Sequence, residues 1–139
     1  MLVEKATGED LARIRSLDST VIGDSSRREL LAGAVCRNQC WTAKAGGFVV
    51  GFAILERSFY NQAFISLVVV DPAYRRRGAA TALIRRIEAT CSGEKLFTST
   101  NRSNAAMQRV LEKLGFERSG YIENLDEGDP ELVYFKKPG

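Results

Sequence analysis

The sequence predicts an α/β (α+β) fold: a mixed, mostly antiparallel sheet of six to seven strands with about four helices. Three observations carry that expectation. The chain alternates short β-rich runs with segments of helical periodicity. A Gly46-Gly47 pair flanked by β-rich runs marks a tight antiparallel hairpin. The run Phe64-Ile65-Ser66-Leu67-Val68-Val69-Val70 has almost no polar alternation and leads straight into a helix, as a central strand with a crossover does.

Taken in order, Leu2 to Ala6 reads as a short edge strand. Thr7-Gly8-Glu9-Asp10 resembles a capping box, and Leu11, Ile14 and Leu17 follow at helical spacing. Ser26-Arg27-Arg28-Glu29 repeats the device before a second helix with Leu30, Leu31, Ala34 and Val35 on its apolar face. Cys40 to Ala45 and Phe48 to Leu55 form the hairpin around the glycines. Phe59 to Gln62 turns into strand four, which Asp71-Pro72 ends, because proline has no N–H for a ladder. Ala79, Ala80, Leu83, Ile84, Ile87 and Cys91 form the apolar stripe of the crossover helix. A right-handed crossover then sets strand five, Lys95 to Thr100, parallel to strand four. Ala106, Met107, Val110, Leu111 and Leu114 mark the last helix, with Gly115 as its C′ residue. Phe116–Ile122 and Leu132–Phe135 close the chain as a hairpin around an acidic loop, Glu123 to Glu131.

Composition narrows the function. The 139 residues, 45% apolar and 27% charged, suit one domain (1–139) that buries roughly two-thirds of its unfolded surface. No apolar run approaches the roughly 20 residues of a membrane helix, and the N-terminus lacks the layout of a signal peptide, so a cytoplasmic location is expected. The chain contains no histidine, which excludes Ser/His/Asp and Cys/His nucleophilic chemistry and leaves acid–base work to carboxylates, tyrosine, cysteine or water. Three cysteines, Cys36, Cys40 and Cys91, have no framework spacing, and no metal site is expected. A net charge of +3 does not argue for nucleic acid.

The stretch Arg75-Arg76-Arg77-Gly78-Ala79-Ala80 carries the chemistry. It lies between a strand and a helix, where main-chain N–H groups and the positive end of the helix dipole face an anion. Gly78 and the two alanines let a phosphate approach the backbone. The alternative is a solvated basic loop.

The same hexapeptide fits R/Q-x-x-G-x-G/A, and the chain resembles the GNAT superfamily of N-acyltransferases. Leu67 to Pro72 is similar to that family's fourth strand and proline turn, and Asn104 with Leu114-Gly115-Phe116 to its second motif. The resemblance implies a GNAT-like sheet with strands four and five parallel and splayed, and an acyl-CoA donor, here acetyl-CoA. It places the backbone of Arg76 to Thr81, with Arg75, Arg77, Gly78, Ala79 and Ala80, on the pyrophosphate. It places the main chain of Val68, Val69 and Val70 along the pantetheine, and the Asn104 amide against it; as a helix cap, Asn104 needs no ligand. It also implies that the connection near Asp18–Ser25 borders the acceptor pocket.

On the amine side the sequence departs from that family. A tyrosine often found seven residues after the motif asparagine is Leu111 here, and a carboxylate sometimes found on strand five is Ser99. Glu56, ending an apolar strand, is then a candidate base, with a wet edge carboxylate as its alternative. Tyr121 is a candidate acid, with a core tyrosine as its alternative. Thr98 and Ser99 face opposite ways, one of them toward an acceptor or both toward nearby backbone. The function expected is acetyl transfer to a primary amine by direct attack in a ternary complex. The alternative is a CoA-binding module without turnover. Expected partners are a small-molecule or peptide amine, with no nucleic acid and no membrane; a homodimer through the sheet edge or helix two is left open.

Overall fold

The computed structural model describes all 139 residues, Met1–Gly139. Its strands are β1 (Leu2–Lys5), β2 (Cys40–Ala45), β3 (Phe48–Phe59), β4 (Gln62–Val70), β5 (Leu96–Asn101), β6 (Glu117–Ile122) and β7 (Glu131–Lys136). The helices are α1 (Leu11–Ile22), α2 (Arg28–Cys36), α3 (Ala79–Thr90) and α4 (Ala105–Lys113). The seven strands form one sheet in the order β1-β2-β3-β4-β5-β7-β6. β4 and β5 run parallel, pairing Ala63, Phe64 and Ile65 with Leu96, Phe97 and Thr98, and β4 continues to Val70 beyond that last rung. β7 returns between β5 and β6, antiparallel to both. No helix is long and apolar enough to cross a membrane.

By contact the chain divides into two compact units, Met1–Leu55 with Leu67–Ala89 and Glu56–Ser66 with Thr90–Gly139. In the first unit, Ile14 and Leu17 of α1 and Leu31, Ala34 and Val35 of α2 pack with Phe52, Ile54 and Val69 into one apolar cluster. Removing a side chain such as Leu31 from water contributes about 2 kcal/mol. The hairpin between β2 and β3 turns on Gly46 (φ +58°) and Gly47 (φ +80°), the left-handed pair that a two-residue turn requires. The first helix enters through a 3-10 turn, Gly8–Asp10, where the Thr7 N–H donates to Asp10 Oδ2 at 2.9 Å. The fork of Arg27 on Asp18, Nη2 to Oδ1 at 2.6 Å and Nε to Oδ2 at 3.1 Å, ties α1 to the start of α2.

Three sequence expectations need correction here. Ser26 does not cap α2: its N–H is taken by Asp24 Oδ1 at 2.9 Å, and the helix starts at Arg28. Leu30 is exposed, because α2 is short and turns only Leu31, Ala34 and Val35 inward. β4 is not uniformly buried: Ile65 and Val69 are inside, whereas Ser66, Leu67, Val68 and Val70 are half-buried.

In the second unit, α4 contributes the buried Leu111, and β5 and β7 contribute Leu96, Thr98, Leu132 and Tyr134. Gly115 (φ +89°) ends α4, and Phe116 N–H returns to Leu111 O at 3.0 Å, a left-handed helix cap. Phe59, Phe64, Phe97 and Phe135 form a row of ring contacts, with Phe59 stacked on Phe64 at 4.5 Å between centroids.

Candidate functional site

The exit of β4 is fixed before the chain reaches the arginines. The Asp71 N–H donates to Val50 O at 2.8 Å, and its Oδ1 accepts from the Ala73 N–H at 2.9 Å, starting a 3-10 turn, Pro72–Tyr74. Oδ2 accepts from Arg13 Nη2 at 2.8 Å. Arg13 Nε in turn donates to Val49 O at 3.0 Å, with its guanidinium over the Phe48 ring at 4.4 Å. The Ala73 amide first, then Arg13 and the charge of Arg75, hold the Asp71 carboxyl below the usual carboxylate range against a partial desolvation cost. Side chains from α1 and β3 thus set the direction in which the loop departs.

The loop itself is built from main chain. Arg76 (φ +66°) and Gly78 (φ +82°) are left-handed on either side of Arg77, a pattern that turns successive N–H groups toward one concavity. The N–H groups of Arg76, Arg77, Gly78, Ala79, Ala80 and Thr81 donate to no other group of the chain; the first helical bond of α3 is Ala82 N–H to Gly78 O at 2.9 Å. No atom lies within 4 Å of where a Cβ on Gly78 would stand. Arg75, Arg76 and Arg77 are exposed and form no salt bridge, and Arg77 lies over the Tyr74 ring at 5.2 Å. Six unpaired donors, a helix N-terminus and three free guanidiniums are chemistry for a polyanion, and a diphosphate fits it.

Along β4, Val69 is buried in the apolar cluster, while Val68 and Val70 are half-buried. Gly51 on β3 lets this strand come close: a Cβ there would meet Val69 O at 3.0 Å and Leu83 Cδ1 at 3.5 Å.

The second unit holds the remaining candidates. Asn104 caps α4, its Oδ1 accepting the Met107 N–H at 3.1 Å. That leaves the Nδ2 group as its available donor. Leu111 is only 1% exposed, so an apolar side chain fills its position. Tyr121 is on the edge strand β6 and 63% exposed, neither core nor enclosed. Glu56 is half-buried and accepts from Ser58 Oγ at 3.0 Å. Thr98 donates to Ile65 O at 2.9 Å, a structural bond. Ser99 donates to Glu131 Oε2 at 2.7 Å. The acidic loop is largely occupied by the protein itself: Asp129 accepts from the Ser103 N–H and hydroxyl at 3.0 and 2.6 Å, and Asp126 from Asn101 Nδ2 at 2.8 Å.

Two polar residues escaped the sequence reading, Arg13 and Glu131. Arg13 sits on the polar side of an amphipathic helix and carries no local signal. Glu131 was grouped with its acidic loop, and its bond to Ser99 depends on the pairing of β7 with β5. The thiols show no activation. Burial, with a smaller push from Asp10, raises Cys40 to about 12, and Cys91 is buried. No group of three or more Cys, Asp or Glu side chains is placed to hold a metal ion.

A mixed sheet with one parallel step, followed by a helix whose first turn is an open polyanion site, defines a protein that binds a nucleotide-type diphosphate. The family profile described as acetyltransferase (GNAT) matches residues 9–116, and the chain belongs to that family of acyl-CoA-dependent N-acetyltransferases. It is similar to the solved GNAT acetyltransferase of Bacillus cereus ATCC 10987, at 39% identity over 99% of this chain and 97% of that one, with a TM-score of 0.90. Over 63 residues, 45% of its length, it is 38% identical to the Cysteine-rich protein 2-binding protein of Mus musculus. Over 87 residues, 60% of its length, it is 31% identical to the uncharacterized N-acetyltransferase Rv2669 of Mycobacterium tuberculosis. The aligned stretches span 8% of the mouse protein and 56% of the mycobacterial one.

Proposed function

We propose that residues 1–139 act as a single catalytic domain that transfers an acetyl group from acetyl-CoA to a primary amine. The observation that carries this reading is the run of six unpaired main-chain donors from Arg76 to Thr81 at the start of α3. Those amides hold the diphosphate, and Arg75 and Arg77 add charge at its rim. The main chain of Val68, Val69 and Val70, on the part of β4 beyond the last rung of its parallel ladder, lies along the pantetheine arm. Asn104 Nδ2 donates to the same arm while its Oδ1 stays on α4. Bound acetyl-CoA supplies the activated thioester; the chain supplies position and a place for protons.

Transfer is by direct attack in a ternary complex. What supports this is the state of the thiols, since a buried cysteine pushed up to about 12 is no acyl carrier at neutral pH. The three free cysteines fit a reducing, cytoplasmic setting. The acceptor is a small-molecule or peptide amine. A second reading, a CoA-binding module without turnover, draws on Leu111, which removes a phenol from α4.

Calorimetry with acetyl-CoA, followed by thiol release in the presence of amines, tests both. Micromolar binding with amine-dependent thiol release is the expected result. Binding without release favours the second reading, and no binding sinks both.

A further inference from the structure

Most carboxylates in this chain that are not fully exposed have a cation or a structural bond. Asp18 holds Arg27, Asp71 holds Arg13 and caps a turn, and Asp10 accepts the Thr7 N–H beside Lys44. Glu131 is the departure. It is half-buried on the first residue of β7, no lysine or arginine pairs with it, and its one hydrogen bond is a serine hydroxyl. A carboxylate half removed from water without a counter-ion is unfavourable unless something else occupies it.

Its position gives the something. Ser99, which holds Oε2 at 2.7 Å, is the first residue of β5 past the last rung of the ladder with β4, Ile65 against Thr98. Ser99 pairs with Val133 and Asn101 with Glu131, so Ser99, Asn101 and Glu131 share one face of β5 and β7. The charged groups closest in the loop packed there are Asp126 and Asp129, both held by Asn101 and Ser103. Glu131 therefore offers a free Oε1 at the opening of the β4–β5 ladder, in a surrounding that carries only negative charge. An ammonium is the ligand such a surrounding favours.

We infer that Glu131, oriented by Ser99, is the proton acceptor for the attacking amine, supplied from β7 to a chain that has no histidine. This rests on the acetyltransferase reading. Glu131 takes one proton from the ammonium and leaves a neutral nitrogen able to attack. As the carbon–nitrogen bond forms and the carbon–sulfur bond breaks, the nitrogen's other surplus proton goes to the departing thiolate. Glu131 then returns its own proton to solvent, and the next ammonium can enter.

The test uses the full chain, acetyl-CoA and a fixed amine pool of spermidine, lysine amide and peptides with free N-termini. Glu131→Gln is expected to keep acetyl-CoA affinity by calorimetry within about twofold while thiol release at pH 7 falls about 100-fold or more, the scale of a lost general base. Its rate should then climb about tenfold per pH unit from 7 to 9, following the neutral amine, whereas the wild-type profile is flatter. Glu131→Asp should recover part of the rate. Ser99→Ala, which removes the positioning bond, should lower kcat several-fold without moving the KM for acetyl-CoA. Spermidine should shift the Glu131 carboxyl carbon signal in the NMR spectrum of the wild type. A Glu131→Gln enzyme with wild-type rates, or with a lower rate and an unchanged pH profile, overturns the inference while leaving the acetyl-CoA reading intact. Wild-type protein that binds acetyl-CoA but releases no thiol with the pool also overturns it. Failure to bind acetyl-CoA at all removes the reading on which it rests.

Discussion

α3 and α4 begin in opposite ways. α4 closes its own first turn: Asn104 Oδ1 takes the Met107 N–H, and Ala105 N–H returns to Ser103 O at 3.1 Å. α3 has no such cap, and six consecutive N–H groups before Ala82 go without a partner from the chain. A capped helix start stabilises itself by about 1 kcal/mol; an uncapped one forgoes that and keeps its donors for a ligand. The difference marks which helix start serves the fold and which serves function.

Four substitutions break or sharpen that contrast. The largest effect is expected from Gly78→Val. A β-branched residue at φ +82° is strained, and its side chain stands in the open space before α3. Acetyl-CoA affinity should drop on the order of 100-fold, with a cooperative melt still seen by calorimetry; retained affinity would show that the phosphates bind elsewhere.

Next, Asn104→Ala should cost about 1 kcal/mol in urea unfolding by removing the α4 cap. Asn104→Asp keeps a capping oxygen but loses Nδ2. If α4 serves the fold alone, Asn104→Asp leaves acetyl-CoA affinity unchanged; the role proposed for Nδ2 requires a loss of a few-fold.

Arg75→Ala or Arg77→Ala should weaken CoA by roughly fivefold and leave the melting temperature unmoved, since neither side chain holds a salt bridge. Pantetheine without phosphates should bind both variants like the wild type.

The smallest effect concerns Asp71. Its carboxyl is lowered in the folded chain, so it contributes stability that is fully present above the ordinary carboxylate value and is lost as pH falls through the folded one. Wild-type stability should therefore decline below about pH 4 more steeply than that of Asp71→Asn, measured by denaturant midpoints across pH.

What could be read before the structure was known follows from how each site is built. The α3 start is local: strand, proline turn, arginines, glycine and helix adjoin in sequence, and the donors are main chain, so residue spacing alone points to them. Thr7 with Asp10 and the Gly46-Gly47 turn were legible for the same reason. Ser26 was misread because Asp24 competes for its N–H two residues away, which no spacing rule ranks. The uniform apolarity of Phe64 to Val70 suggested burial on both faces, yet Val68 and Val70 are half-buried. Composition reports what a strand tolerates, not what covers it. Glu131 and Ser99 are 32 residues apart and meet because β7 returns between β5 and β6, so a serine looked like a deficit until its neighbour was known. Arg13 and Asp71, 58 residues apart, were hidden in the same way.

Trp41 is the only tryptophan in the chain, 4% exposed on β2, with Lys5 Nζ 5.0 Å from its ring and the Arg86 guanidinium 4.8 Å away. Arg86 belongs to α3, the helix whose first turn is open. The indole's emission is sensitive to a cation held against it, so a shift of α3 on ligand capture alters the intrinsic fluorescence of the protein. The molecule thus carries its own optical reporter, and titrations can be followed by eye of the spectrometer with no label attached.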